Sequence, residues 1–535
     1  MELFKEFFLK HWNKREGLWI FLIGLLLCTS FSWAYPIYIL DEARNSEAAR
    51  EMWESGNYLV PYFNGNLRTD KPPFHYFFMA FGYSIFGMGP LGARFFSGLF
   101  GALTLLMTYY TTKRFQGKPM ARLSSLIFLS SVYFVQEFHL AVPDPYLIFF
   151  MSTTLMSFLL HFGFGEKRWL VLMYVCFGLG VLTKGPIALA LPGLIVLLFL
   201  VAKKELNWQR LKNLSIPAGA LLFLGLVLPW YVAVHQATDG AWTEGFFLDH
   251  NLSRFSDEKE GHGGGFYLTI LFVIAGLLPF SVFGFQAFGR AWKDRILSDW
   301  LLMAFLGGLV PVVFFTLSST KLPNYPMPAY PFICMVIAYY LHKKYQEGFS
   351  RVDYISGVIL VLITAVLPLA GYNALDREWA LHDLQPLAYW LWLLFVGSAL
   401  SLTFWMVKRI KIALVILSVF WIGTGLLLFS FIYPKLTAES PIQAVAEYVD
   451  SDREVVVFRR MDSALPMYYN RTFEEIDSLS QIQERLQENP NLVIITNSRD
   501  HHVIDSLPGL EIVFKRKGLF ENHFTRVYEW VALEE

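Results

Sequence analysis

Long apolar stretches recur along the chain, at 18–36, 91–112, 119–138, 144–163, 168–184, 186–202, 215–235, 266–289, 299–317, 325–342, 353–371, 387–407 and 412–433, with short polar segments between them. About 20 apolar residues carry a helix across a bilayer core, so the pattern predicts thirteen transmembrane helices. Positions 73–87 are apolar too, but short and aromatic, which predicts an interfacial or re-entrant helix. Past 433 the rhythm changes. Short β-rich runs at 454–458, 492–496, 511–514 and 526–530 alternate with helical patterns at 441–449 and 479–487. The expected fold class is an α-helical polytopic membrane protein with a small C-terminal α/β soluble domain, divided as 1–433 and 434–535.

Charge adds an orientation. Lys and Arg gather in alternate short loops: Lys113, Arg114, Lys118 and Arg122; Lys167 and Arg168; Lys203, Lys204, Arg210 and Lys212; Arg290, Lys293 and Arg295; Lys343, Lys344 and Arg351; Lys408, Arg409 and Lys411. Cytoplasmic loops carry that excess, so the N-terminus is expected inside and, after an odd number of spans, the tail outside. The first apolar run follows Lys5, Lys10, Lys14 and Arg15 without a small-residue cleavage site, and reads as an uncleaved span. The chain of 535 residues is 55% hydrophobic, 16% charged and of net charge +0. No global basic field attracts nucleic acid. Cys28, Cys176 and Cys334 all sit in apolar runs, without the spacing of a disulfide framework or metal cluster.

The residues able to do chemistry collect in the outer segments, 37–90, 139–144, 236–265 and 318–325. Asp41 directly follows a span, where a charge is costly unless it has a task; Glu42 and Glu47 near it also suit the positive start of a helix. Lys71 precedes two prolines at headgroup depth and either snorkels to lipid phosphates or holds one phosphate. Asp144, between Pro143 and Pro145, is either a helix cap or a rigidly aimed acid. The 236–265 loop has Asp249, His250, Arg254 and His262 before a glycine run that permits a mobile cover. Lys321 and Tyr325, four residues apart, could both reach a phosphate. On one face this set offers acids for an acceptor or a metal, and cations for an anion.

At these residues the sequence resembles a known family. Leu40-Asp41-Glu42-Ala43-Arg44, Ala48-Ala49-Arg50-Glu51-Met52, Ser55-Gly56, Asn64-Gly65 and Asp70-Lys71-Pro72-Pro73 come first. Phe86-Gly87, Ala93-Arg94, Pro143-Asp144, Leu182-Thr183-Lys184-Gly185-Pro186 and Lys321-Leu322-Pro323-Asn324-Tyr325 then follow in order. They are similar to the GT-C membrane glycosyltransferases of the protein O-mannosyltransferase superfamily, in particular to the bacterial aminoarabinose transferase branch that modifies lipid A. The resemblance covers roughly the first 330 residues.

It implies a multi-pass protein of the bacterial inner membrane with a periplasmic C-terminal domain. The activity implied is inverting transfer of a pentose or hexose from an undecaprenyl-phosphate donor to lipid A, a glycan or another acceptor. Asp41 is implied as principal catalytic acid, with Glu42 and Asp144 completing the catalytic set. Lys71, Arg254, Tyr325 and Lys321 are implied at the donor phosphate. A divalent metal, zinc or magnesium, is implied at Asp70 with His250 or His262; the branch usually has Glu where this chain has Asp70.

Two other classes fit part of the pattern. A lipid-linked sugar transporter shares the many spans, but is expected to show internal repeats and charges at mid-membrane depth. A polysaccharide ligase or polymerase shares the polyprenyl donor, but leaves Asp41-Glu42 unexplained.

Overall fold

The computed structural model describes residues 2–252, 264–449 and 453–531, with the side chains of 2–14 and 249–252 outside the described set. It is mainly helical, as the apolar runs require: in a bilayer every backbone polar group needs an internal partner.

Among the described residues, seven helices are long and apolar enough to cross a membrane. The bent pair Tyr267–Gly276 and Phe280–Asp294, with 120° between its arms, makes up to eight. This falls short of the thirteen expected from hydropathy, for two physical reasons. The stretch Pro90–Leu129 contains two arms, because Gly117 (φ 81°) breaks the helix two residues before Pro119. The arms run back along each other: Arg122 and Tyr109 both meet Glu16, while the ring of Phe138 lies against Gly101. Other expected spans coincide with helices that are short or polar at one end, such as Lys167–Lys184, Ile187–Ala202 and Tyr330–Glu347.

Ion pairs divide into two groups. Arg114 binds Glu166, Lys118 and Arg122 bind Glu16, Lys203 binds Asp299, and Arg290 binds Asp294 and Glu347. Arg94 with Glu42 and Lys184 with Asp144 form the other group. Arg94 and Arg114 share one helical arm, and 20 residues at 1.5 Å each put them about 30 Å apart, the thickness of a bilayer core. The pairs Arg94–Glu42 and Arg114–Glu166 therefore stand at opposite ends of one helical arm.

The 37–90 segment forms the helix Leu40–Ser55, the short hairpin β1 (Tyr62–Phe63) and β2 (Asn66–Leu67), and the helix Phe74–Phe86. Asn64 and Gly65 make the hairpin turn with positive φ at both positions, the geometry for which Asn-Gly is favoured. Phe74–Phe86 packs onto the arm that follows through a glycine contact. A Cβ on Gly82 would lie 2.0 Å from the carbonyl oxygen of Gly92. Gly82→Ala must push backbone apart, and is expected to cost about 3 kcal/mol, the upper end for overpacking. Thermal unfolding in detergent checks this; a change under about 0.5 kcal/mol, the surface-substitution range, would refute the contact.

The tail builds a five-stranded sheet from β3 (Val455–Phe458), β4 (Glu474–Ile476), β5 (Val493–Thr496), β6 (Leu510–Lys517) and β7 (Phe524–Trp530), in the order β4-β3-β5-β7-β6. β3 is parallel to β4 and β5, while β7 runs antiparallel to β5 and β6. One face of this sheet is not closed by the tail itself. Val457, Leu465, Ile495 and Val527 share a core with Ala43, Ala48, Met52, Met79 and Tyr83 of the 37–90 segment. Polar bonds fix the seam: Arg44 Nε donates to Ser463 Oγ at 3.1 Å, and Asn64 exchanges bonds with the backbone of Phe473 at 2.9 and 2.7 Å.

His523, nearly buried in the tail, faces Asp462 at 4.0 Å and Glu521 at 2.7 Å. Asp462 and Glu521 push its imidazolium up to about 9. The folded value exceeds the ordinary one of about 6.5, so this stabilisation is complete below about pH 6.5 and lost as pH rises through about 9. The gap in Tm between wild type and His523→Gln is expected to shrink across that window. A gap independent of pH would rule the charge pairing out.

Candidate active site

The helix Leu40–Ser55 begins with two adjacent carboxylates that face different surroundings. Glu42 is buried and held by Arg94, whose Nε and Nη2 donate to its two oxygens at 2.6 and 2.9 Å; the N–H of Ala141 adds a bond at 2.9 Å. Arg94 also donates to the carbonyls of Ser32, Tyr35 and Pro36, and lies over the Tyr35 ring. With both oxygens engaged, Glu42 ties 37–90 to the spans on either side. That corrects its expected place among the catalytic acids: it is a clamp.

Asp41 is half-buried, one position earlier, and turns to a different set of charges. Burial pushes its carboxyl up, but Lys71, Arg68 and Lys184 outweigh burial and nearby Asp70, and hold it below the usual carboxylate range. Asp41 is therefore an anion at neutral pH. Arg68 is fixed by Tyr76 at 2.9 Å, Asp70 at 3.2 Å and Asn45 at 3.4 Å. His75 reaches the same Asn45 oxygen at 3.1 Å. Lys71 is 7% exposed, a lysine held out of water beside an acid.

Asp144 opens the helix Asp144–Phe164 without capping it, which removes the helix-cap reading. One of its oxygens receives Lys184 Nζ at 2.6 Å. The other is buried and has no partner among the described residues, as has Oε1 of buried Glu137. Glu137 lies within electrostatic reach of Asp144, Lys184 and Asp41. Lys184 Nζ sits 5.5 Å from the ring centre of Tyr325. The structure thus gathers Asp41, Lys71, Asp144 and Tyr325 from four distant segments, and adds Arg68, Glu137 and Lys184, which the sequence reading left out of the site. Glu137 and Lys184 had a signal, each being a charge at the edge of an apolar run.

The remaining expected residues divide. Lys321 donates to the carbonyls of Phe315 and Thr316 at 3.3 and 2.6 Å, and to that of Ser318. It caps the end of the helix Asp299–Leu317, which corrects its expected place at a phosphate. Arg254 and His262 lie outside the described residues; His250 falls in the helix Gly245–Leu252, its side chain outside the described set. Asp70 pairs with Arg68, and among the described residues no three His, Cys, Asp or Glu side chains converge. The described residues do not by themselves fit a divalent metal.

An apolar cavity of about 390 Å³ lies against the end of the helix Lys167–Lys184. Val181 and Pro186, on either side of Lys184 in sequence, line it with Val227, Tyr231 and Phe247. Val227, Leu228, Tyr231, Val232, His235 and Gln236 make the helix Ile216–Ala237 its longest wall.

Comparison with known proteins matches residues 70–232 to the family model described as dolichyl-phosphate-mannose-protein mannosyltransferase. An uncharacterised protein of Aquifex aeolicus (strain VF5) is 30% identical over 348 residues, 64% of this chain and 77% of that one. The undecaprenyl phosphate-alpha-4-amino-4-deoxy-L-arabinose arabinosyl transferase 2 of Pseudomonas fluorescens (strain Pf0-1) is 29% identical over 415 residues, 75% of this chain and 71% of that one. The crystal structure of ArnT from Cupriavidus metallidurans bound to undecaprenyl phosphate superposes with a TM-score of 0.78 at 19% identity, covering 96% of this chain and 98% of that one. The match to the mannosyltransferase model, the similarity to aminoarabinose transferases and the shared fold agree with the ordered motifs, and the chain belongs to the GT-C membrane glycosyltransferases, in the aminoarabinose transferase branch.

Proposed function

We propose that this protein transfers a sugar from an undecaprenyl-phosphate donor to a phosphate-bearing glycolipid of the lipid A type, on the periplasmic face of the bacterial inner membrane. The observation that carries the reading is the gathering of two lysines, Lys71 and Lys184, around Asp41, with an apolar cavity lined by Val181 and Pro186, the residues that bracket Lys184 in the chain. Cations hold the phosphate of the donor, and the cavity takes the first isoprene units. Each buried methylene contributes about 0.8 kcal/mol, so the donor stays in the membrane and the site must come to it.

In the reaction the bond between the anomeric carbon and the phosphate oxygen breaks. Polyprenyl phosphate leaves with the electron pair, and an acceptor oxygen forms the new bond from the opposite face, inverting the carbon. Lys71 and Lys184 lie where negative charge grows on the leaving group. A carboxylate with a depressed pKa is a weak general base. The charge state of Asp41 therefore suits an acceptor oxygen that is already ionised, as on a phosphate, and gives Asp41 the task of orienting it. Asp144 holds Lys184 in place. The divalent metal that the resemblance implies would draw on Asp70 with His250 or His262.

The test measures release of undecaprenyl phosphate by the protein in lipid nanodiscs, from a panel of undecaprenyl-phosphate sugars with outer-membrane glycolipid as acceptor. Release that requires both acceptor and Lys71 supports the reading. Release from no donor, or release unchanged in Lys71→Ala, would overturn it in favour of a transporter or a ligase.

A further inference from the structure

The tail contains a second polar cavity, of about 150 Å³, at the seam with the helix Leu40–Ser55. Its floor is the carboxyl edge of the sheet. Arg459 and Arg460 follow β3, and Asn497 follows β5. From β3 the chain moves to β4 on one side and then returns to β5 on the other. The gap between β3 and β5 is therefore the point where strand order reverses, the place at which open α/β sheets bind ligands.

The lining chemistry is specific. Arg44, Arg459 and Arg460 bring three guanidinium groups; Arg44 bonds Ser463 and Arg459 faces Asp500, while Arg460 makes no ion pair among the described residues. Asn497 is 1% exposed, and its Oδ1 acceptor has no partner among the described residues. Leaving such an acceptor empty costs about 1–3 kcal/mol, so it points to a ligand donor. Glu475 and Glu521 add acceptors for hydroxyls, and Phe63 offers a flat apolar wall. Guanidinium groups match a phosphate or carboxylate bidentately. Amide and carboxylate oxygens beside an aromatic ring match the hydroxyls and the face of a sugar. At about 30 Å³ per water, the cavity has the room of roughly five waters, enough for a single ring.

We propose that this cavity is a binding site for a sugar with an anionic substituent, separate from the donor site. Arg44 and Leu40 present one side of the helix to it, while Asp41 and Asn45 present the next side to the cluster around Lys71. A glycan seated here sits across one helix from the reacting end. It can thus hold the headgroup of the acceptor while another part of the same molecule reaches Asp41. That role rests on the transferase reading above; the binding does not.

The experiment is hydrogen–deuterium exchange of the full chain in nanodiscs, with glucose 1-phosphate, glucose or inorganic phosphate at millimolar concentration. Glucose 1-phosphate is expected to slow exchange at 457–463 and 495–499 at least threefold, where glucose and inorganic phosphate do not. Arg460→Ala, an exposed change that leaves the fold intact, and Asn497→Leu are expected to lose the effect. No slowing in wild type, equal slowing by inorganic phosphate, or slowing that survives in Arg460→Ala would overturn the site. Slowing at 68–76 on addition of an undecaprenyl-phosphate sugar is read in parallel samples of the same preparation. If it persists while the cavity response is absent, this inference fails and the transferase reading stands; if it alone is absent, the reverse holds.

Discussion

Asp41→Asn is expected to lower kcat by about 10²–10³-fold, the loss seen when a preorganised charge is removed from a transition state, while KM for the polyprenyl donor stays level or falls. The direction of the second effect makes the test discriminating. Asp41 is an anion among Lys71, Arg68 and Lys184, so its charge opposes a donor phosphate in the ground state. Neutralising it leaves the cations more attractive to that phosphate and takes away the group that orients the acceptor. Steady-state kinetics in nanodiscs separate the two. A raised KM with kcat unchanged would show that Asp41 only binds donor, and a loss under tenfold would remove it from the reacting centre. Asn preserves size, and Asn45 donates chiefly to the backbone carbonyl of residue 41, at 2.6 Å. The helix start is therefore expected to survive.

The largest expected loss of stability comes from Arg94→Met. Arg94 is fully buried, and its removal strands the Glu42 carboxylate together with the carbonyls of Ser32, Tyr35 and Pro36. Breaking a buried pair on one side costs about 3–5 kcal/mol, enough to unfold much of a marginally stable population. Removing both charges is cheaper: Arg94→Met with Glu42→Leu is expected to recover at least half of the loss, a coupling that a double-mutant cycle reads directly. A single-variant cost below about 1 kcal/mol in thermal unfolding would show that the clamp carries no load. Activity in the double variant has separate value. Glu42 does no chemistry in this reading, so whatever folded fraction remains should turn over.

Asp41, Lys71, Asp144 and Tyr325 were legible in the sequence because each is a polar residue next to an apolar run, where a charge has to justify its cost. The same rule pointed at Glu137 and Lys184, but a hydropathy reading assigns them to span ends and does not show that two different spans bring them together. Glu42 and Lys321 failed for a related reason. Both are charges in the right segment, and only the folded chain brings Arg94 and a row of backbone carbonyls against them. The tail was legible as an α/β unit from its β-rich runs, with each expected strand close to an observed one. Its seam with 37–90 was not, because contacts such as that of Arg44 with Ser463 join residues 419 apart and no local pattern records the partner.

That seam has a consequence for how the molecule is made. The core under the helix Leu40–Ser55 is finished by Val457, Leu465, Ile495 and Val527, which leave the ribosome long after Asp41. At about 5–20 residues per second, a separation of 419 residues is a wait of roughly 20–80 s. Through that interval Ala43, Ala48 and Met52 of the first loop lack the tail residues that cover them. The helix that holds Asp41 is therefore among the first parts of the chain to be synthesised and among the last to have its core completed.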